Sequence, residues 1–291
     1  MRRGRGRGRA RSRESAIADG VVLAALLLSG LASAAGAQRV DRRSLGMDAY
    51  FGDPNGYWTP PDFHGNHRYD GRFTFARIKY RGYAKWAAEG PGWAHDYARA
   101  DVHLMLIMRD VTALRPFVRE GKIFGGSILA LDDPELFKYP VAYLSEPGGW
   151  FPNDKEARAM GDYLRKGGFV IFDDFREGGG WGADWSNLQQ QMKRALPDEH
   201  WIQLTGTEPI FDSFFKIDLC TIQPPYAQNL QPMYFALYEN NDPRKRIMAV
   251  ANVNNDIGEF WEFSDEGFYA VPLSNEAYKL GVNYLIYALT H

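Results

Sequence analysis

The sequence has almost no cysteine, since Cys220 is the only one among its 291 residues. An intramolecular disulfide is therefore impossible, and a structural zinc site built from several cysteines is excluded. Cys220 ends an apolar run in the segment KIDLCTIQPPY, and this setting favours a buried, unreactive thiol over a nucleophile. Stability must therefore come from core packing, for which 45% of the residues are hydrophobic.

Positive charge is concentrated at the start of the chain. Seven arginines fall within residues 2–13, and the apolar run Val21–Leu31 leads to the small residues Ala35-Gly36-Ala37. This order predicts a secretory signal peptide, residues 1–37, that is cleaved after its last alanine. The alternative is a retained membrane anchor, although the apolar run is shorter than the roughly 20 residues of a membrane span. We therefore expect an exported protein, periplasmic or extracellular.

The rest of the chain lacks a basic surplus. Removing the leader's seven arginines, Glu14 and Asp19 from 34 basic and 36 acidic residues leaves 27 basic and 34 acidic residues, a net charge of −7. Such a chain has no evident electrostatic attraction to nucleic acid or anionic lipid. We predict no nucleic-acid partner, and the sequence does not identify the ligand, which could be a small molecule or an envelope component.

After the leader, the sequence divides into an irregular segment and one domain. Residues 38–70 are rich in Gly, Pro, Asp and Asn and lack periodicity, which predicts an extended lead-in. Residues 71–291 alternate between strand and helix patterns. This alternation predicts a three-layer α/β/α sandwich with a mainly parallel sheet.

Periodicity and capping signals place the individual elements of this domain. Strands are predicted at Phe73–Tyr80, within Ile123–Leu131, and at Val141–Leu144, Phe169–Phe172, Trp201–Leu204, Met233–Tyr238 and Ile247–Val253, the last two as a hairpin. Helices are predicted at Ala100–Leu114, after an Asn153 N-cap, at Ser186–Leu196, and at Asn275–Leu289 with Ser274 as its cap.

Carboxylates follow two of the predicted strands. Glu146 comes just after Val141–Leu144, and Asp173-Asp174 directly follow Phe169–Phe172. Ligands of parallel α/β sheets bind outside the carboxyl ends of the strands, so these three acids are the candidate catalytic residues. The two aspartates could form an acid/base pair or a site for a hard cation. Alternatively, one carboxylate caps backbone amides and the other is solvated.

Aromatic side chains and one arginine surround these acids in the sequence. Trp150, Phe175 and Trp181 are candidate ligand-binding residues, because aromatic faces beside carboxylates commonly hold sugar rings. Arg176 is a fourth candidate, for an acidic partner or an anionic ligand. The competing interpretation, which we favour for the aromatic residues, is that they close the top of the core.

Two histidine pairs are weaker candidates. His64 and His67, near Asp62, have a spacing compatible with two metal ligands, but no helix directs their rings. His95 with Asp96 could form an imidazole–carboxylate pair, or Asp96 could cap a helix beside an exposed His95. We assign no metal ligand and no cofactor from the sequence.

Several sequence blocks in order carry a family resemblance. FTFARIKY, WAHDY-x₂-AD, FPND-x₁₁-KGGFVIFDDF and EPIFDSFF resemble domain-of-unknown-function family 4159 of bacterial exported and membrane-associated proteins. The resemblance covers roughly Phe73 to His291. It implies a flavodoxin-like fold similar to class I glutamine amidotransferase-like domains, and it implies no activity.

Glutamine amidotransferases provide a test of function. Their nucleophile is a cysteine at a strand-to-helix elbow, and the corresponding strand here runs into Asp173-Asp174-Phe175, with neither Cys nor Ser. Acyl chemistry of that kind lacks its nucleophile. The preferred interpretation is a non-catalytic binding or scaffold module of the bacterial envelope. The alternatives are a carboxylate-dependent hydrolase of envelope glycan or peptide, with or without a metal, and a subunit of a membrane-associated complex.

Overall fold

The computed structural model describes residues 65–81, 91–119, 122–123, 126–178, 183–225 and 230–291. The predicted signal peptide and the predicted lead-in up to residue 64 lie outside the described residues. No described helix is both long and apolar enough to cross a membrane.

A sheet of seven strands in the order β4-β1-β5-β6-β9-β8-β7 forms the centre of the domain. The first five in this order are parallel, and β8 and β7 continue the sheet in antiparallel pairing. A separate antiparallel pair, β2 and β3, lies outside it. The strands are β1 Ala76–Lys79, β2 Val118–Arg119, β3 Lys122–Ile123, β4 Ser127–Ala130, β5 Val141–Ser145, β6 Phe169–Phe175, β7 Ile202–Gln203, β8 Met233–Tyr238 and β9 Ile247–Val253.

Helices cover both faces of this sheet. One apolar cluster joins α1, α4 and α5 to one face, and a second joins α2 and α3 to the other. The predicted three-layer α/β sandwich is thereby confirmed. The α-helices are α1 Arg99–Val111, α2 Asp154–Arg165, α3 Asp184–Ala195, α4 Ile257–Glu262 and α5 Val271–Thr290. The described 3₁₀ helices are Gly92–Ala94, Pro134–Lys138, Pro147–Gly149, Pro209–Phe211, Leu219–Thr221 and Glu239–Asn241.

The order of the parallel strands creates a crevice at one edge. Numbered along the chain, the five parallel strands lie in the order 2-1-3-4-5, as in flavodoxin-like folds. The order reverses between β1 and β5, so the segments that leave these two strands go to opposite faces of the sheet. A ligand site is expected where they separate, at the carboxyl ends of the strands.

Local sequence signals explain most of these elements. In the first strand region Phe75 faces one apolar cluster and Ile78 the other, as its alternation predicts. The predicted Asn153 N-cap of α2 is present and forms a capping box, since Asn153 accepts from the Glu156 amide at 3.0 Å and Glu156 accepts from the Asn153 amide at 2.8 Å. Gly167 has the left-handed backbone, φ 109°, that ends this helix.

Two local predictions are wrong. Ser274 does not cap the last helix, because α5 begins one turn earlier at Val271 with a proline in its first turn, where a missing N–H costs nothing. Cys220 is exposed rather than buried. In this segment the buried side chains are those of Ile217 and Ile222. The apolar run is therefore only partly buried, and the thiol of Cys220 lies on its exposed side.

Candidate functional site

A cluster of acidic side chains lies at the carboxyl ends of β1, β5, β6 and β9. Glu146 follows β5, which pairs in parallel with β6, so that Ser145 lies beside Asp173. The expectation that Glu146 and Asp173-Asp174 share one edge of the sheet is therefore met. The loop after β1 adds His95 and Asp96, and the segment after β9 adds Asp256 and Glu259.

Four residues other than glycine adopt left-handed backbone at this edge. Asp96, Glu146, Asp174 and Asn254 have φ values of 62°, 48°, 59° and 59°. Each such residue costs about 1–3 kcal/mol and persists only when its surroundings hold it, and residues of this kind cluster at functional sites. The strained backbone therefore marks the same edge as the carboxylates.

A buried arginine of β1 holds the loop that carries His95. Arg77 pairs with Asp101 of α1, with Nη2 2.6 Å from Oδ1. It also donates to the backbone carbonyls of Trp93, at 3.1 Å, and His95, at 2.7 Å. Its guanidinium thus connects the strand, the helix and the loop, and this explains how an irregular segment can position an imidazole.

His95 lies between two carboxylates from different segments. Its Nδ1 is 2.8 Å from Asp174 Oδ2 and 3.3 Å from Asp96 Oδ1. Burial lowers the pKa of His95, but Asp96 and Asp174 outweigh burial and raise this pKa well above its ordinary value. The two carboxylates therefore favour the protonated, positively charged form of the imidazole.

Asp96 is the most isolated of the acids. Its side chain is 0% exposed, and neither carboxylate oxygen accepts a hydrogen bond within the described residues. Burial raises the pKa of Asp96 well above its ordinary value; His95 opposes the rise and Asp174 adds to it. Gly258 packs against this carboxylate, and a Cβ there would also lie 2.8 Å from the Tyr143 hydroxyl, so a larger residue would displace Asp96.

Asp256 and Glu259 complete the cluster from the opposite side. Asp256 caps α4 by accepting from the Glu259 amide at 2.9 Å, and Glu259 accepts from the Tyr269 hydroxyl at 2.8 Å. Burial is the main cause that raises the pKa of both acids, and Asp174 adds to the rise. The site thus combines several buried acids with a single imidazole.

Asp173 has a different environment from its neighbour. Its carboxylate accepts from Tyr143 Oη and Asn252 Nδ2, both at 2.8 Å, and from the amides of Ile257 and Gly258 at 2.9 and 3.1 Å. Burial raises its pKa to about 6, against the lowering effect of the Asn252 and Tyr143 hydrogen bonds. These contacts connect β6 to the start of α4, and they occupy both carboxylate oxygens of Asp173 with hydrogen bonds.

Two of the three predicted ligand-binding aromatics, Trp150 and Phe175, lie in the core. Trp150 is 0% exposed and packs on Phe172, and Phe175 is 1% exposed within the same core cluster. Their burial agrees with the interpretation that we favoured, in which these aromatic residues close the core. Arg176 is half-buried just after β6, and Trp181 lies outside the described residues.

Of the other histidine pair, the structure describes only His67. Asp62 and His64 lie outside the described residues. His67 stacks on Phe117 with ring centroids 3.5 Å apart, and its Nε2 is 3.2 Å from Thr74 Oγ1. These contacts give His67 a packing role at the edge of the domain.

Sequence reasoning missed Asp256 and Glu259. The available signal was the polar segment Asn254-Asn255-Asp256 directly after the second strand of the predicted hairpin. Its position relative to Asp174 depends on β9 pairing in parallel with β6, and the two strands are separated by more than 70 residues of sequence. The pairing of distant strands, not the local pattern, creates the full cluster.

Fold and site together define a doubly wound α/β domain with an acidic, histidine-containing cluster at its topological switch point. The family profile described as Domain of unknown function (DUF4159) matches residues 74–289. Because this match covers well over half of the chain, the protein belongs to that family. No curated protein matches the chain.

Proposed function

We propose that the domain is a binding module that takes up a positively charged ligand at the carboxyl edge of its sheet, and that it acts outside the cytoplasmic membrane. The observation that carries this proposal is the Asp96 carboxylate, which is fully buried and accepts no hydrogen bond within the described residues. A buried carboxylate that accepts no hydrogen bond is costly, whereas a cation placed beside it compensates the charge. The export part of the proposal rests on the predicted leader.

The geometry argues against acyl transfer of the amidotransferase kind. The carboxyl end of the fourth parallel strand, β6, carries Asp173 and Asp174, and Asp173 is fully engaged in hydrogen bonds. Ser145, at the end of the adjacent strand, is 0% exposed, and a nucleophile needs access to its substrate. Cys220 is exposed in the 3₁₀ helix Leu219–Thr221, outside this cluster. A binding role requires none of these groups to react.

Thermal unfolding of the full chain with a panel of cations tests the proposal. The panel contains Mg²⁺, Ca²⁺, Mn²⁺, Zn²⁺, spermidine and arginine, added to protein freed of metals with EDTA. We expect at least one cation, at about 100 times its Kd, to raise Tm by roughly 5 °C or more. The same cation should leave the Tm of Asp96→Asn nearly unchanged, because this variant lacks the carboxylate that carries the proposal.

A control variant separates the site from general charge effects. Asp162 is an exposed acid on α2, so Asp162→Asn should keep the full response of the unmodified protein. If no metal ion and no organic cation raises Tm, the cation-binding function is refuted. An equal response in Asp96→Asn would place the binding away from this carboxylate and contradict the basis of the proposal.

A carboxylate-dependent hydrolase is the second candidate. The observation in its favour is that the pKa values of Asp96 and Asp256 are raised by burial beside the imidazole of His95, and carboxyl groups with raised pKa values serve as general acids in catalysis. Incubation with peptidoglycan fragments tests it by mass spectrometry of the products. The binding module predicts no product, whereas cleavage by the unmodified protein but not by Asp96→Asn would establish the hydrolase.

A further inference from the structure

We infer that the ligand of the acidic cluster is a single divalent transition-metal ion held by His95, Asp96, Asp256 and Glu259. This inference rests on the proposed binding function, and it narrows the class of cation from any positive group to a metal ion. The four residues come from two segments, the loop after β1 and the start of α4, which lie side by side at the carboxyl edge of the sheet.

The distances among the four side chains suit one small ion. One possible ligand atom from each residue can be chosen so that all four lie within 4.8 Å of one another. Ligand atoms around a tetrahedral Zn²⁺ at about 2.0–2.2 Å are themselves roughly 3.3–3.6 Å apart. The cluster therefore needs to contract by only about 1 Å to reach this coordination geometry.

The burial of the four ligands shows how that contraction can occur. Asp96 and Asp256 are buried, so they provide fixed oxygens. The side chain of His95 is 28% exposed, and Glu259 is only partly buried. These two side chains have the freedom to move inward onto an ion, since they border solvent.

An independent observation points to a ligand at this position. The Asp96 side chain is completely buried, faces the other acids, and accepts no hydrogen bond within the described residues. Buried carboxylates in folded proteins are paired or bind metals, because an isolated charge in the interior is strongly unfavourable. His95 Nδ1, at 3.3 Å, is its nearest charged group, and Asp174 lies closer to the same nitrogen.

The donor atoms select among metals. One imidazole nitrogen with three carboxylate oxygens is a mixed set, which suits Zn²⁺ or Mn²⁺. Mg²⁺ and Ca²⁺ prefer oxygen ligands alone. We therefore expect Zn²⁺ or Mn²⁺ to bind more tightly than Mg²⁺ or Ca²⁺.

A second group shares the histidine. His95, Glu146 and Asp174 also have possible ligand atoms within 4.8 Å of one another. It offers three ligands rather than four and lacks Asp96, so the assignment favours the first group. Variants of Asp96 and of Glu146 distinguish the two, because each belongs to one group only.

Equilibrium dialysis of the full chain, freed of metals with EDTA, against ZnCl₂ or MnCl₂ tests the inference, with metal content measured by plasma mass spectrometry. We expect one ion per chain. Asp96→Asn and Asp256→Asn should each weaken binding by about 10-fold or more, since they remove direct ligands. Glu146→Gln and the exposed control Asp162→Asn should bind as the unmodified protein does.

Circular dichroism of each metal-free variant shows whether it folds. If Asp96→Asn does not fold, Glu259→Gln gives the same test, because this ligand is only partly buried and its removal disturbs the core less. Unchanged binding in a folded Asp96→Asn or Glu259→Gln variant would overturn the assigned ligands. Loss of binding in Glu146→Gln with retention in Asp96→Asn would move the ion to the second group.

The outcomes also separate this inference from the proposed function. If spermidine or arginine raises Tm while Zn²⁺ and Mn²⁺ do not bind, the metal assignment fails and the cation-binding module stands. If neither metal ions nor organic cations bind, both fail. Stoichiometric metal that is lost on Asp96→Asn supports both together.

Discussion

Asp173 and Asp174 are adjacent in sequence, yet their carboxylates lie in different environments. Asp173 accepts hydrogen bonds from β5, β9 and the start of α4, whereas Asp174 faces His95. The cause is a bulge in β6, where the register with β9 shifts between Phe172 and Phe175. With Asp174 in left-handed backbone at φ 59°, the regular alternation of strand side chains is broken.

Removal of the Asp173 charge should destabilise the fold. In Asp173→Asn the new amide group would face donors where an oxygen now accepts, so at least one buried hydrogen bond is lost. We expect the free energy of unfolding to fall by about 2–4 kcal/mol. Urea unfolding at pH 7.5, above the raised pKa of about 6, measures this change.

The matched control is Asp162→Asn, which removes an exposed carboxylate on α2. Its free energy of unfolding should stay within about 0.5 kcal/mol of the unmodified protein. A loss in Asp173→Asn no larger than that of the control would show that the four hydrogen bonds do not support the core.

At the scale of elements, helix α2 follows from its sequence alone. Asn153 accepts from the amides of both Lys155 and Glu156, at 2.9 and 3.0 Å, and Glu156 completes the box. The buried stripe of Ala157, Met160 and Leu164 then holds the helix on the sheet. Capping and periodicity agree, which explains why this element was predictable.

Loss of the cap should weaken α2 by a moderate amount. Asn153→Ala removes the oxygen that accepts from two backbone amides, and we expect the free energy of unfolding to fall by about 1 kcal/mol. Urea unfolding measures the loss. Asn153→Asp keeps an accepting oxygen at the cap and should recover most of the stability, and a failure to do so would contradict the capping explanation.

The start of α1 shows the limit of such local signals. The helix begins at Arg99 without a side-chain cap, and the loop before it is held by Arg77, which reaches it from β1. The arginine is 16 to 18 residues away from its two carbonyl acceptors. No local pattern could reveal that contact, and the position of His95 depends on it.

At the scale of the whole molecule, the site exists only because five parallel strands end together. Its acidic and imidazole side chains come from the carboxyl ends of the first, third, fourth and fifth parallel strands and from the segments that follow them, between residues 95 and 259. The order of the strands reverses between β1 and β5, and this reversal creates the crevice at the carboxyl edge of the sheet. The sequence predicts that Glu146, Asp173 and Asp174 lie at the carboxyl ends of two parallel strands. It does not predict which other strands lie beside those two.

The predicted leader provides a test on the intact protein in its own envelope. Export followed by cleavage after Ala37 should give a mature protein that begins at Gln38 and lacks all seven leader arginines. Amino-terminal sequencing of the protein from the cell envelope or periplasmic fraction checks this. Recovery of the uncleaved chain from membranes would instead support the retained anchor.

The sequence by itself determined the class of fold, the Asn153 cap of α2 and the edge of the sheet where Glu146 and Asp174 emerge, because these depend on periodicity and short-range hydrogen bonds. Tertiary structure decided which acids meet His95, since Asp96 and Asp256 are brought together by strands paired across long sequence separations. It also decided that Trp150 and Phe175 belong to the core. The sequence shows that an aromatic residue lies near the end of a strand, but it does not show whether the core or a ligand covers the ring. Only the packing in the tertiary structure distinguishes these two cases.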